Sequence, residues 1–390
     1  MAKKNRVDNN SIHTNISFSQ VDFWLLLSVV LLVGIGTMMI FSASTPSSYA
    51  KSDTSTAYDV LRSQIFFTVS GIALMFITSM VDYKIFAKLS LVLFIIATVL
   101  MALVLSPLGR SVNNARRWLK LGILFQPSEI LKLALVFYLA YVFSRPGLRE
   151  KAIGLRGIFL FIIPVGVNIA LLIFEPHISC VVIIVAITAA MMFTAKVKIR
   201  TWIAAIVLAA AAVAVVFLVL KSSSGLSLDY ILKRISAHGG NSADEADTYQ
   251  ATQSLYAIGS GGLFGRGFGK SVQKYLYLPE PYNDFIFSIL AEELGLVGVL
   301  LVITLFVILI WRGYKVSHNA PDLYGALMSF GIITNVAVQV VLNLAVVSSL
   351  MPVTGISLPF FSYGGTSLWI MMASMGIVLN ISKQSRYSKF

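Results

Sequence analysis

Leu276–Gly295 reads Leu-Tyr-Leu-Pro-Glu-Pro-Tyr-Asn-Asp-Phe-Ile-Phe-Ser-Ile-Leu-Ala-Glu-Glu-Leu-Gly, and an apolar run continues from Leu294 to Ile310. A polar approach ends here, an apolar helix begins, and four carboxylates crowd the junction. Pro279 and Pro281 stiffen the approach. Asn283 or Asp284 is placed to cap the helix, because a short side-chain oxygen accepts from the free N–H groups of a first turn. Asp284, Ser288, Ala291, Glu292 and Gly295 recur at spacings of three and four, so they share one helix face. Glu292 and Glu293 then fall at the hydrocarbon boundary, and Asp284 stands about 12 Å, or two turns, above it. Two readings stay open at this point: acids that favour the positive end of a helix, or a working carboxylate at the membrane surface.

The composition excludes a soluble domain. Of the 390 residues 57% are hydrophobic and 12% charged, with a mean hydropathy of +0.84, which is the profile of a polytopic membrane protein. Lys3, Lys4 and Arg6 precede the apolar run Phe23–Phe41, which is too long for a signal-peptide core and reads as an uncleaved first span. Cys180 is the only cysteine, so no intramolecular disulfide forms. The four histidines have no ligand spacing. The net charge of +13 is spread over loops, which indicates membrane topology and no nucleic-acid partner.

The apolar runs predict an all-α polytopic membrane protein with about ten spans: 21–42, 60–80, 87–106, 123–143, 157–174, 178–194, 200–220, 285–311, 324–349 and 360–381. With the N-terminus inside, cytoplasmic segments carry 17 Lys and Arg against 12 outside, and six of the twelve lie in the long loop 221–283, where the positive-inside rule has little force. Residues 1–20 and 382–390 are then cytoplasmic tails, 21–381 is the membrane domain, and Asp284 faces outward.

Ser106–Leu121 breaks the positive-inside rule, placing Arg110, Arg116, Arg117 and Lys120 outside with no acid among them. The choice is between tolerated misplaced charge and a set of cations that meets an anion such as a diphosphate, which Arg holds in bidentate fashion. Just beyond, in Gln126-Pro127-Ser128-Glu129-Ile130-Leu131-Lys132, Glu129 and Lys132 are i, i+3 neighbours. With 123–143 as the span, Lys132 lies roughly 15 Å from either end. A deep unpaired ammonium costs a few kcal/mol, so Lys132 pairs with Glu129 or lines a wet cavity. Glu175-Pro176-His177 links two spans, and its histidine reads as a packed loop residue.

In the long loop, Tyr249–Ile258 has helix-like spacing, and Gly259–Ser271 is rich in glycine, which permits the close backbone approach a phosphate cradle needs. The strand context of a nucleotide-binding loop is absent, so nucleotide binding is rejected and Arg266, Lys270 and Lys274 stand as candidate contacts for another anion. Pro352-Val353-Thr354-Gly355 and Pro359-Phe360-Phe361-Ser362-Tyr363-Gly364-Gly365 stand at the outer mouth of the last two spans and fit a broken, re-entrant backbone.

Pro-Glu-Pro-Tyr-Asn-Asp-Phe-Ile-Phe (279–287), Asn-Asn-Ala-Arg-Arg-Trp-Leu (113–119), Gln-Pro-Ser-Glu (126–129) with Lys132, and Pro352–Ser367 together resemble the SEDS family of bacterial cell-wall polymerases. The family commonly has Gln-Pro-Asp where Glu175 and His177 stand, so a role for its loop Asp does not carry over. Ser349 stands where the family has Gly. The resemblance implies a peptidoglycan glycosyltransferase in the cytoplasmic membrane that joins lipid II to a growing glycan strand. It implies Asp284 as the catalytic base and Arg116, Arg117, Glu129, Lys132, Lys270, Lys274 and Ser362 as substrate-binding residues. A divalent cation, Mg²⁺ or Mn²⁺, is compatible with the diphosphate. The implied partners are a class B penicillin-binding protein and divisome-type membrane proteins, and the form of the 276–295 segment leans toward the FtsW/SpoVE branch over RodA. The alternatives are a RodA-type elongation polymerase and a transporter that flips lipid II, since buried charges and broken helices suit a transport path as well.

Overall fold

The computed structural model describes residues 21–50, 57–112, 115–121, 123–175, 177–208, 245–279 and 281–387. Twelve helices run through them: α1 Phe23–Ala50, α2 Ala57–Met80, α3 Lys84–Leu105, α4 Pro127–Ser144, α5 Pro146–Ile153, α6 Ile163–Phe174, α7 Ile178–Thr194, α8 Ile199–Leu208, α9 Glu245–Ser260, α10 Ile286–His318, α11 Leu323–Val347 and α12 Gly365–Tyr387. Seven of these (α1 to α4 and α10 to α12) are each long and apolar enough to cross a membrane. The segment holding α5 and α6 bends by 100°, and one π turn at Ile158–Ile162 leads into α6. The expected tail 1–20, the stretch 209–220 of the expected seventh span and residues 221–244 of the long loop lie outside the described residues.

Burial separates two kinds of helix. α4 is buried around nearly its whole circumference, which explains why its sequence is apolar on all sides. α2 and α3 bury one side only, leaving Phe66, Val69, Ile95 and Val99 exposed for lipid.

Three features depart from the sequence reading. The cationic outer loop folds as a small antiparallel sheet, with β1 Gly109–Val112, β2 Ala115–Leu121 and β3 Ile123–Phe125 in the order β1-β2-β3. The third strand takes the first residues of the expected span 123–143, because Pro127 holds Gln126 in an extended conformation (φ −105°, ψ 110°) and is itself suited to the first helical position. Lys132 is therefore only five residues, about 8 Å, inside its helix rather than at mid-depth. At the other end of the chain, α12 starts at Gly365 instead of 360 and continues to Tyr387, so most of the expected tail 382–390 is its last turns.

The segment between α11 and α12 is re-entrant, as its prolines and glycines suggest. Gly36, at the middle of α1, receives it: a Cβ there would lie 2.8 Å from Phe361 Cα and 3.0 Å from Phe360 O. Only a residue without a side chain lets the two backbones meet this closely. Ser349 adopts a left-handed φ of +58°, which supplies the physical reason that a glycine suits its position.

Candidate functional site

Asp284 lies half-buried in the turn that leads into α10. Phe285 is the residue at the helix cap and no side chain caps the first turn, so neither Asn283 nor Asp284 plays the capping role. The Asp284 carboxylate reaches the re-entrant segment instead. A Cβ on Gly355 would sit 3.4 Å from Asp284 Oδ2. The backbone on both sides is clamped: Asn343 Nδ2 of α11 donates to Asp284 O at 2.9 Å and to Ile356 O at 2.7 Å. Tyr363 N donates to Tyr282 O at 3.0 Å, and the two rings meet edge to face at 5.9 Å and 85°. The backbone around Asp284 is thus fixed from α11 and from the re-entrant segment.

Ser179 Oγ, at the start of α7, donates to Thr354 O at 2.6 Å, one residue from Gly355. Glu175 and His177, just before α7, are buried. Burial pushes the Glu175 carboxyl up to about 8, against the pull of Arg117. His177 is held well below its ordinary value by burial, and then by Arg117 and Lys132, so its imidazole is neutral and a packed loop residue as expected. Lys132 Nζ donates to Glu129 Oε1 at 2.8 Å, with both side chains buried. Ser128 Oγ, Glu129 Oε2, Glu175 Oε1, His177 Nδ1 and Thr354 Oγ1 are buried without hydrogen-bond partners among the described residues. Buried polar atoms of this kind call for partners such as ordered water or a polar ligand.

A second network holds the loop that delivers Asp284. Glu292 accepts from Ser271 Oγ (2.5 Å), Val272 N (2.9 Å) and Gln273 N (3.2 Å). Glu293 accepts from Ser42 Oγ of α1 (2.7 Å), Gly269 N (3.0 Å) and Lys274 Nζ (2.9 Å), while Lys274 Nζ also donates to Ser42 Oγ and Gly269 O. Both glutamates are fully buried and so is Lys274. Two neighbouring carboxylates inside a membrane protein are tolerated only because each is surrounded by donors. The sequence reading placed these acids at the boundary without seeing their partners. The signal was there in part, since an acidic pair beside an apolar run requires cations or N–H groups nearby.

The glycine-rich stretch serves this network rather than a phosphate. α10 breaks at Gly295 (φ +66°, ψ −165°), which strands backbone groups on either side. Arg266 N and Gly267 N donate to Glu292 O and Glu293 O at 2.9 and 3.0 Å, and Leu296 N and Val297 N donate to Gly262 O and Leu263 O at 3.0 and 3.2 Å. A Cβ at Gly295 would lie 2.2 Å from Gly265 N. This combination of angles is open almost exclusively to glycine and costs any other residue about 1–3 kcal/mol before the clash is counted. Gly295→Ala is expected to lower the thermal unfolding temperature of the purified protein by several degrees, and an unchanged transition would show that the lock is dispensable.

The structure therefore sorts the sequence candidates. Asp284 lies beside Gly355, while Lys132 pairs with Glu129 and, with Arg117, acts electrostatically on His177. Lys270 is exposed on the loop, and Arg266, 42% exposed, stands 3.5 Å from Glu292. Lys274 does not face a diphosphate: its charge is enclosed by Glu293. Ser362 is buried, and its Oγ accepts from Leu358 N at 2.8 Å, which shapes the re-entrant turn. Arg116 lies in β2, and its side chain is outside the described residues. α9 contains the expected helix 249–258 and is pinned where Ser254 Oγ contacts Ser288 Oγ and donates to Val347 O. Among the described residues no group of three or more His, Cys, Asp or Glu gathers to hold a metal.

The FtsW/RodA/SpoVE family model, described as a cell cycle protein, matches residues 23–387. The chain belongs to this family. It is 39% identical over 375 residues to stage V sporulation protein E of Bacillus subtilis, covering 94% of this chain and 98% of that relative. It is 36% identical over 370 residues to the probable peptidoglycan glycosyltransferase FtsW of Trichlorobacter lovleyi, covering 93% of each. Among solved structures it is similar to a chain from a peptidoglycan synthase complex studied for the coordination of polymerization and crosslinking. That match has a TM-score of 0.70 and 26% identity, over 94% of this chain and 98% of the other. The polytopic helical fold read from the sequence is thus the fold of the FtsW/RodA/SpoVE family.

Proposed function

We propose that the chain is a peptidoglycan glycosyltransferase that polymerises lipid II at the outer face of the cytoplasmic membrane, with Asp284 as general base. The observation that carries this is the placement of Asp284: the turn that bears it is clamped by Asn343 and Tyr363, and its carboxylate lies against Gly355 of the re-entrant segment. The reaction needs this arrangement. The 4-hydroxyl of the acceptor lipid II is a poor nucleophile near neutral pH. As it attacks the anomeric carbon of the growing strand, its proton passes to Asp284, a C–O bond forms with inversion, and the bond to the diphosphate breaks. Undecaprenyl diphosphate leaves as an anion, stabilised by charge rather than by protonation. Arg117 and Lys132, both acting on His177, and Lys270 on the exposed loop are the cations suited to that task, with Glu129 holding Lys132 in place.

The outward orientation follows from the distribution of Lys and Arg. The similarity to a chain of a synthase complex that couples polymerization to crosslinking supports a class B penicillin-binding protein as partner. Identity with both stage V sporulation protein E and FtsW proteins supports a role in septum or spore-wall synthesis. Purified protein given lipid II is expected to form long glycan strands and release one undecaprenyl diphosphate per sugar pair added. Absence of polymer, with and without a cognate transpeptidase, would overturn the reading.

A further inference from the structure

A polar cavity lies at the opposite end of the bundle from Asp284. It has a volume of about 190 Å³ and is lined by Asp22 before α1, Arg312, Lys315 and Asn319 of α10, and Ser382 and Ser385 of α12. Asp22 and Arg312 build its wall. Arg312 Nε donates to both Asp22 oxygens at 3.1 Å and Nη2 donates to Oδ2, while Asp22 Oδ1 also accepts from Leu25 N at 3.1 Å. The carboxylate is thereby saturated by the wall itself, and the Nη1 side of the guanidinium is left for another acceptor. The Lys315 side chain is exposed and has no ion pair among the described residues. Ser385 Oγ donates to Ser382 O at 2.7 Å, and the Ser382 and Asn319 side chains, which line the same cavity, are neutral groups able to donate.

The cavity therefore offers several donors and almost no acceptor. One carboxylate against two cations leaves a single excess positive charge, which a singly charged oxyanion neutralises. Its depth is marked by exposed aromatic residues: Phe23 and Trp24 at the start of α1, 62% and 55% exposed and in edge-to-face contact at 6.0 Å, and Trp311 beside Arg312, 63% exposed. Aromatic residues of this kind sit at the headgroup level of a bilayer. Basic pockets between helices at that level recognise acidic headgroups.

We propose that this cavity binds the phosphodiester of an anionic phospholipid headgroup. The phosphate bridges Arg312, Lys315 and Ser382, so one lipid ties the start of α1 to the ends of α10 and α12. The site is independent of the chemistry at Asp284.

Native mass spectrometry of the full chain in detergent, titrated with phosphatidylglycerol or phosphatidylcholine, tests this. The wild type is expected to retain phosphatidylglycerol preferentially, and Lys315→Gln to weaken that retention about fivefold, the effect of one cation at a membrane surface. Ser382→Ala is expected to weaken it as well, and lipid II polymerisation in detergent stays unchanged in both variants. Equal retention of the two lipids, or no effect of either substitution, would overturn the proposal. Glycerophosphoglycerol, the same phosphodiester without acyl chains, is the second arm. Failure to displace the lipid at millimolar concentration supports a headgroup site, whereas ready displacement assigns the cavity to a soluble phosphate ester and contradicts the lipid.

Discussion

Asp284→Asn stops glycan synthesis while the protein stays folded. The substitution keeps the size of the side chain and removes its ability to take a proton, so the loss expected is that of a general base, about 10²–10⁴-fold in rate. Stability is expected to change little, because the hydrogen bonds that clamp this turn run through backbone oxygens of Asp284, Tyr282 and Ile356. Binding of lipid II is expected to persist, since Arg117, Lys132 and Lys270 are untouched. The measurement is single-turnover transfer at saturating lipid II, alongside the thermal unfolding temperature. A variant that polymerises at the rate of the wild type would remove Asp284 from the mechanism.

Glu293→Ala produces the second large effect, and it acts on the fold. Glu293 is fully buried and is the only carboxylate in an ion pair with the equally buried Lys274 among the described residues. Removing one member of a buried pair leaves the other charge uncompensated, at a cost of about 3–5 kcal/mol. Lys274→Met is expected to be milder, because Glu293 keeps Ser42 Oγ and Gly269 N as donors. The double variant is expected to recover part of the loss of Glu293→Ala, since the stranded ammonium is gone. Denaturation of the three variants in one detergent measures this. Equal, small losses in all three would show that the network does not hold the loop. The same network bears on Asp284 indirectly, because the segment it fixes, Gly269–Lys274, leads straight into the approach to the turn of Asp284.

Much of this was legible in the sequence, and the reasons differ by residue. The apolar runs announced the long helices because a membrane forces every backbone group into an internal hydrogen bond. The pairing of Glu129 with Lys132 followed from their spacing on one helix turn and the penalty on an unpaired buried charge. The re-entrant segment was announced by Pro352, Gly355, Pro359 and Gly364. What could not be read were contacts between distant parts of the chain. Lys274 looked like a surface cation in a polar loop, and only folding brings it against Glu293 and Ser42. The glycines of 261–267 looked like an anion cradle, yet the group they approach is the broken backbone of α10, more than twenty residues downstream. The small sheet was hidden because β2 carries Arg116, Arg117 and Lys120, and charge in an outer loop reads first as solvent exposure. Asn343, which holds both Asp284 and Ile356, lies near the end of a largely apolar helix after Asn335 and Gln339 at four-residue spacing, and such buried amides signal only that they must find partners.

The claim on which the mechanism rests is that Asp284 opens to the extracytoplasmic side. Cys180, the only native cysteine, is buried in α7, so a thiol introduced by Asp284→Cys provides a single accessible reporter. Labelling intact cells with a membrane-impermeant maleimide is expected to modify it from outside, without permeabilisation. Modification only after the cytoplasm has been opened would contradict the account.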